Sequence, residues 1–553
     1  MGSTWPRGFQ AVEKYLDSLC FLPSYFWTGF CFANATREVS SQVRKPHRWR
    51  FQVGDIRLIT ITRWASRNRG FFISDQSGLY SASRRIFLEQ HRMVQRSKSA
   101  SGLKNNLDMM QRRFFVLFSL LAATICTLSA QTKSGDSSTP ASIPSPASVA
   151  QPPQGAVFEY RPSPAEYARA KTYSNAHYRH FFVNTLYGFL LLLALLRWRV
   201  APVLRDLAEH ASPRRFVQLI IFAPLILLTI AVLGIPSEIW DQWLDRAFGL
   251  SVETWPAWCS DWITNQIISL IIGTVLVGVL YGIIRRSPRR WWFYFWLASL
   301  PVLVAFLFLK PLVVDPLFYT FKPLAGAEPA LVSEIQKVTR RGGIEIPADR
   351  MFVMNASTKT TQLDAYVTGF GASKRVVVWD TMVAKATTPE TLFVFGHEMG
   401  HYVLLHLPKG IACAGVILLF LLYLGYRLAL SIVARWKTQW GIRALEDWAS
   451  FPVLFLLINL LAFLATPAFN AVSRHFEHEA DRYGIEVIHG VVADPNQVAA
   501  HYFEKSGEVN LSDPDPDWFA KLWFYDHPTR PERIHFVATY DPWSQGKDPK
   551  YVK

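Results

Sequence analysis

Six apolar runs constrain this chain more than any other feature. They span about 180–196, 216–234, 263–284, 292–312, 410–433 and 451–469. Most are close to the ~20 residues that a helix needs to cross the hydrocarbon core of a bilayer. Lipid offers no partner to a backbone N–H or C=O, so each run must close its hydrogen bonds within a helix. The first run is short and needs its flanks to span. Arg427 lies inside the fifth, and a charge at such a position faces a protein interior or a watery cavity, or snorkels. The expectation is a mainly α, polytopic membrane protein, consistent with a chain that is 50% hydrophobic and 14% aromatic.

Residues 1–108 show no sustained helical or alternating pattern. They are followed by Met109-Met110-Gln111-Arg112-Arg113, the apolar run Phe114–Leu128 and Ser129-Ala130-Gln131. The order of a basic stretch, an apolar run and a small residue is that of a signal peptide. Residues 109–130 therefore read as a signal peptide or a first membrane helix, and 1–108 as a doubtful extension upstream of the true start. Residues 131–165 carry Pro140, Pro144, Pro146, Pro152 and Pro153 among Ser, Ala and Gln, and read as a disordered linker. Residues 166–324 are expected to form a membrane domain of four helices. Residues 325–553 are expected to form a second domain, interrupted by a membrane hairpin at 410–469.

The net charge is +16, which raises nucleic-acid binding. Residues 1–108 account for +10 of it, with 17 Lys/Arg against 7 Asp/Glu. Much of the remainder sits in short loops between apolar runs, the ordinary pattern of a membrane protein. A nucleic-acid partner is not expected. Cys20, Cys31, Cys126, Cys259 and Cys413 show neither metal-like nor disulfide-like spacing.

The chemistry is carried by Thr391–His406, TLFVFGHEMGHYVLLH, which reads as a helix. Residues i and i+4 share a helix face, so His397 and His401 can bind one zinc ion. Glu398 projects beside them and suits a general base acting on water near the metal. A zinc site needs a third protein ligand and an open position. Asn470–Asp481 offers His475, Glu477, His478 and Glu479, and spacing alone does not choose among them. Glu477 has the advantage that Asp481 follows one turn later, where it can accept the outer N–H of a ligating histidine. A third motif, Tyr525–Arg533, holds His527, which can donate a hydrogen bond where negative charge develops on substrate. Lys374–Trp379 reads as a strand.

These motifs, in this order and with a pair of spans between the first two, resemble the type I CAAX prenyl proteases and the related bacterial HtpX-type membrane proteases. The resemblance covers about 180–540. It rests on Gly234-Ile235-Pro236 through Asp241, Phe248-Gly249-Leu250, Thr254 and PLVVDPLFYTFKPL (311–324). In the catalytic part it rests on LDAYVTGFGASKRVVVWDT (363–381), HEMGH, SRHFEHEAD and DHPTRPERI. It implies a gluzincin-type zinc metalloprotease domain with a small β-sheet, Glu477 as third ligand, Asp481 as its companion and His527 on the oxyanion side. It also implies that an extended polypeptide substrate pairs with the strand at Asp364, Ala365 and Tyr366. In the family a large water-filled chamber faces the zinc, which gives Arg427 somewhere to point. The family usually has Asn where this chain has Asp364.

Loop 197–215 holds five Lys/Arg, loop 285–291 four and loop 434–450 three, all on one side of the expected topology. Loop 235–262, on the other side, holds only Arg246 against Glu238, Asp241, Asp245, Glu253 and Asp261. The positive-inside rule puts the basic loops in the cytoplasm and the catalytic segments outside it, in a bacterial inner membrane. The sequence predicts a zinc endopeptidase acting on membrane-associated or misfolded polypeptides. CAAX-type processing of prenylated C-termini and a non-catalytic membrane scaffold are the alternatives. Nothing in the sequence sets an oligomeric state.

Overall fold

The computed structural model describes residues 162–368 and 375–553. The signal-like run, the Arg-rich 1–108 and almost all of the Pro-rich linker lie outside the described residues. The first helix, α1 (Pro164–Arg197), opens on a capping box in which Ser163 and Glu166 satisfy each other's backbone N–H. It is followed by α2 (Val200–Ala211), α3 (Arg215–Ala247), α4 (Trp255–Arg286) and α5 (Trp291–Leu309). A π-helical turn (Lys310–Val314) and α6 (Asp315–Phe318) lead into β1 (Phe321–Pro323), α7 (Leu324–Ala327) and α8 (Pro329–Arg341). Then come β2 (Met351–Met354), β3 (Ala365–Thr368), β4 (Arg375–Trp379), α9 (Asp380–Lys385) and α10 (Thr388–Val403). The chain ends with α11 (His406–Trp440), α12 (Phe451–Ile488), α13 (Pro495–Val509), α14 (Trp518–Phe524) and α15 (Arg530–Thr539).

Among the described residues five helices are long and apolar enough to cross a membrane: α1, α3, α4, α11 and α12. The fourth apolar run forms a sixth candidate, bent by 41° between Leu307 and Lys310. All six expected runs therefore fall in helices. The helices α1 and α12 have 34 and 38 residues, which at ~1.5 Å per residue makes them about 50–57 Å long. That exceeds the ~30 Å of the hydrocarbon core, so each carries a long segment beyond the membrane. In α12 this segment holds the SRHFEHEAD motif, so the second arm of the membrane hairpin and the second motif are one continuous helix.

The sheet has the order β1-β2-β4-β3. The β2–β4 pair is parallel and its neighbours are antiparallel. Strand β3 is outermost, so the expected edge-strand residues Ala365 and Tyr366 lie on an edge, while Asp364 immediately precedes it. The inner residues Val376, Val377 and Val378 are buried in one core with Phe393, Phe395 and Met399 of α10 and Tyr483, Ile485 and Val487 of α12.

Helix α10 starts three residues before the expected Thr391, because Thr387 and Glu390 form a capping box. Glu390 is buried, and the backbone of Thr387 together with His501 and Lys505 outweighs the burial and holds its carboxyl down to about 2. The helix ends at Val403 rather than His406. Leu405 adopts a left-handed φ of 57°, and a new helix, α11, turns away toward the membrane.

Helices α10 and α12 meet backbone to backbone. A Cβ at Gly396 would stand 2.7 Å from Val487 Cγ1 and 3.2 Å from the Gly484 carbonyl. A Cβ at Gly484 would stand 3.1 Å from the His397 backbone nitrogen.

The three basic loops gather at one end of the helices. Arg205 bonds Asp447 at 2.6 Å, Arg443 bonds Glu209 at 2.8 Å, and Arg199 donates to the carbonyls of Thr438 and Gln439. Arg285 lies over the Trp448 ring. At the other end, Val252 donates to the Lys359 carbonyl, and buried Lys359 bonds Asp261 at 2.7 Å. The outer half of α1 is tied to the catalytic part through Lys171–Asp513 and Tyr178–Tyr525.

The helix contact generates one prediction. Gly484→Val forces α12 off the backbone of α10, and overpacking of this kind costs about 1–3 kcal/mol. The thermal unfolding midpoint in detergent is expected to fall. An unchanged midpoint would show that the two helices can separate freely.

Candidate metal centre and active site

The i, i+4 spacing on α10 brings His397 Nε2 within 3.1 Å of His401 Nε2. Glu477 of α12 faces them, its Oε2 3.2 Å from His397 Nε2 and its Oε1 3.4 Å from His401 Nε2. A tetrahedral ion with ligand bonds of about 2.0 Å holds its ligand atoms about 3.3 Å apart. The closest contacts among the three donor groups match that spacing, with a different carboxylate oxygen facing each imidazole. Glu477 Oε2 is buried and accepts no aligned hydrogen bond, although His527 Nε2 lies 3.1 Å away. An acceptor left in that state suits a cation.

The other three candidate ligands point elsewhere. His475 is largely exposed and lies 3.8 Å from Glu479. His478 packs its ring on Phe536 and contacts Arg482. Glu479 accepts a hydrogen bond from the Tyr551 hydroxyl at 2.6 Å. The helical phase of α12 turns Glu477 and Asp481 toward α10, where they meet His397.

Asp481 Oδ1 is 2.9 Å from His397 Nδ1. With a carboxylate on Nδ1, the Nε2 lone pair is directed into the triangle. Burial opposes a charge on His397, but Asp481 and Glu477 outweigh it and push the imidazole up to about 9. The site thus favours positive charge at the point where a cation would lie. His401 is pushed down to about 3, chiefly by burial, and stays neutral.

Glu398 lies beside the triangle, with Oε1 3.9 Å from His397 Nε2. It opens on a cavity of about 340 Å³ also lined by Asp364, Phe393, Tyr502, Tyr525 and His527. His527 Nδ1 is held by Asp526 at 2.8 Å, which aims its other nitrogen at Glu477. The backbone just before it is fixed by Arg474, which donates to the carbonyls of Lys521 and Tyr525. Asp364 lines the cavity, and Ala365 follows it into the edge strand.

Sequence reasoning did not single out Arg533. Its guanidinium forks onto Asp481, with Nε–Oδ2 at 2.8 Å and Nη2–Oδ1 at 2.5 Å, and lies over the Phe503 ring. The signal was a buried carboxylate, which must be paired. Asp526 and His406 were missed as well, since neither residue type has a distinctive spacing to the ligands.

A helical membrane protein whose peptidase helix pairs His-Glu-x-x-His with a glutamate from a second helix is a membrane-embedded metallopeptidase. The chain belongs to peptidase family M48, whose model matches residues 327–541. Residues 148–320 match the model described as "CAAX prenyl protease N-terminal, five membrane helices". The chain is 34% identical over 371 residues to the uncharacterized metalloprotease YhfN of Bacillus subtilis, covering 67% of this chain and 85% of that one. It is 23% identical to CAAX prenyl protease 1 of Saccharomyces cerevisiae, covering 66% and 84%. Its fold resembles the crystal structure of S. mikatae Ste24p, with a TM-score of 0.58 at 21% identity, over 68% of this chain and 88% of that one. The protein is a multi-pass membrane metalloprotease.

Proposed function

We propose that the metal is zinc, one per chain, held by His397, His401 and Glu477, and that the enzyme cleaves membrane-associated or misfolded polypeptides. The observation that carries the metal assignment is the convergence of the three donor groups, whose closest contacts are 3.1, 3.2 and 3.4 Å. Two imidazoles and a carboxylate are a donor set suited to zinc, with a fourth position left for water or substrate. When bound, the ion polarises the scissile carbonyl and lowers the pKa of water.

The chain's own residues do the rest. Glu398 takes a proton from the attacking water as its oxygen bonds to the carbonyl carbon, then hands that proton to the amine nitrogen as the C–N bond breaks. His527, held by Asp526, donates a hydrogen bond to the oxygen on which charge develops. Asp481 keeps His397 in one tautomer, and Arg533 keeps Asp481 in place. The outer edge of β3, entered from Asp364 through Ala365 and Tyr366, pairs with the extended substrate backbone.

A second reading, processing of prenylated C-termini, is favoured by the relatives named CAAX prenyl protease 1. Retention of Glu398 beside the ligands argues against a non-catalytic scaffold. Purified enzyme is expected to cut an unfolded model membrane protein, with Glu398→Gln or a chelator abolishing cleavage, a loss of about 10²–10⁴-fold for the missing base. Cleavage that survives Glu398→Gln contradicts the mechanism. Cutting confined to a farnesylated peptide selects the second reading.

We further propose, from the positive-inside pattern of the basic loops, that the peptidase faces the extracytoplasmic side of a bacterial inner membrane. Alkaline phosphatase fused after Lys553 is then expected to be active. An inactive phosphatase with an active cytosolic reporter at the same position reverses the orientation.

A further inference from the structure

The two histidines of α10 are alike in one respect and differ in another. Each turns Nε2 into the donor triangle, which leaves Nδ1 on the outer side of the ring. On His397 that nitrogen meets the Asp481 carboxylate. On His401 it meets another imidazole, His406 Nδ1, at 3.1 Å. A nitrogen turned outward in this way carries the proton, so His406 Nδ1 must be the acceptor.

His406 can accept there only if its own proton sits on Nε2. That nitrogen is buried and has no aligned hydrogen bond, and Glu479 Oε2 faces it at 3.4 Å. Glu479 is in turn fixed from its other oxygen by Tyr551 Oη at 2.6 Å and Lys550 Nζ at 3.3 Å. The segment that carries Tyr551 is docked by buried Glu486, which accepts from the backbone N–H of Lys550, Tyr551 and Val552. His406 is 4% exposed, and its ring stacks on Phe476 at 4.7 Å, inclined by 13°.

Resting on the zinc reading above, we propose that His406 is a positioning residue for the ligand His401. It fixes the tautomer and ring orientation of His401, and Glu479 and the C-terminal segment hold His406. The break after α10 at Leu405 serves this arrangement, because it turns the first residue of α11 back edge-on to the His401 ring, with centroids 5.0 Å apart. A carboxylate found among the candidate ligands in the sequence thus acts two residues removed from the metal, through His406 and His401.

The test is zinc affinity by chelator competition on the full chain in detergent, with the absorption spectrum of the cobalt-substituted protein as a second readout. His406→Phe keeps a ring to stack on Phe476 but has no acceptor. His406→Asn places Oδ1 where Nδ1 stood. His406→Phe is expected to weaken zinc binding about 10–100-fold and to shift the cobalt bands. His406→Asn is expected to stay within about threefold of the parent, well short of that loss. Parent-like affinity and spectrum in His406→Phe would overturn the proposal. Equal losses in both variants would also overturn it, since an acceptor would then not be what matters. If the unsubstituted chain binds no zinc, the metal assignment itself fails, which is a different result from a tolerant His406→Phe.

Discussion

Everything at the site depends on how closely α10 and α12 approach. Gly396 and Gly484 remove the side chains that would keep the two backbones apart. That contact sets the distance from Glu477 to the two histidines, and the same contact seats Asp481 on His397. Histidines four apart on a helix are not by themselves a metal site. They become one when a carboxylate from another element is held within about 3.3 Å of both, the spacing that tetrahedral coordination requires. Here the rigid packing of two helices supplies it, with the β4 valines and the aromatic core behind them.

The second constraint is the bilayer. Helix α12 runs without a break from the apolar run 451–469 to Glu477, and α11 leaves the site at His406 and enters the membrane directly. The metal centre therefore rests on the emergent ends of a membrane hairpin, packed along Leu421, Leu461 and Ala465. The outer part of α1 and loop 248–254 brace the catalytic part from the side. Arg427, four residues beyond Tyr423 and bonded to its hydroxyl at 3.2 Å, is exposed at the surface of its helix and lies toward the basic end. That location fits a side chain reaching for water better than one buried among helices.

Much of this was legible in the sequence, for identifiable reasons. Helices across a bilayer must be long and apolar, so all six runs were visible as runs. His397, Glu398 and His401 were visible because helical periodicity fixes their relative directions. The third ligand was ambiguous from spacing alone, since four candidates lie within five residues and their phase relative to α10 is a tertiary fact. Arg533 and His406 were not legible as site residues: one answers the charge of a buried Asp481, and the other depends on a left-handed Leu405 that no residue type announces. The end of α10 was misplaced by three residues for the same reason.

The proposed site holds one zinc ion between α10 and α12 on two imidazole nitrogens and one carboxylate oxygen. X-ray absorption at the zinc edge of the purified protein tests it most directly. Coordination by His397, His401 and Glu477 requires one zinc per chain, nitrogen and oxygen neighbours at about 2.0–2.1 Å and two imidazole scattering paths. A first shell containing sulfur, a third imidazole in place of the carboxylate, or a protein that retains no zinc would contradict it.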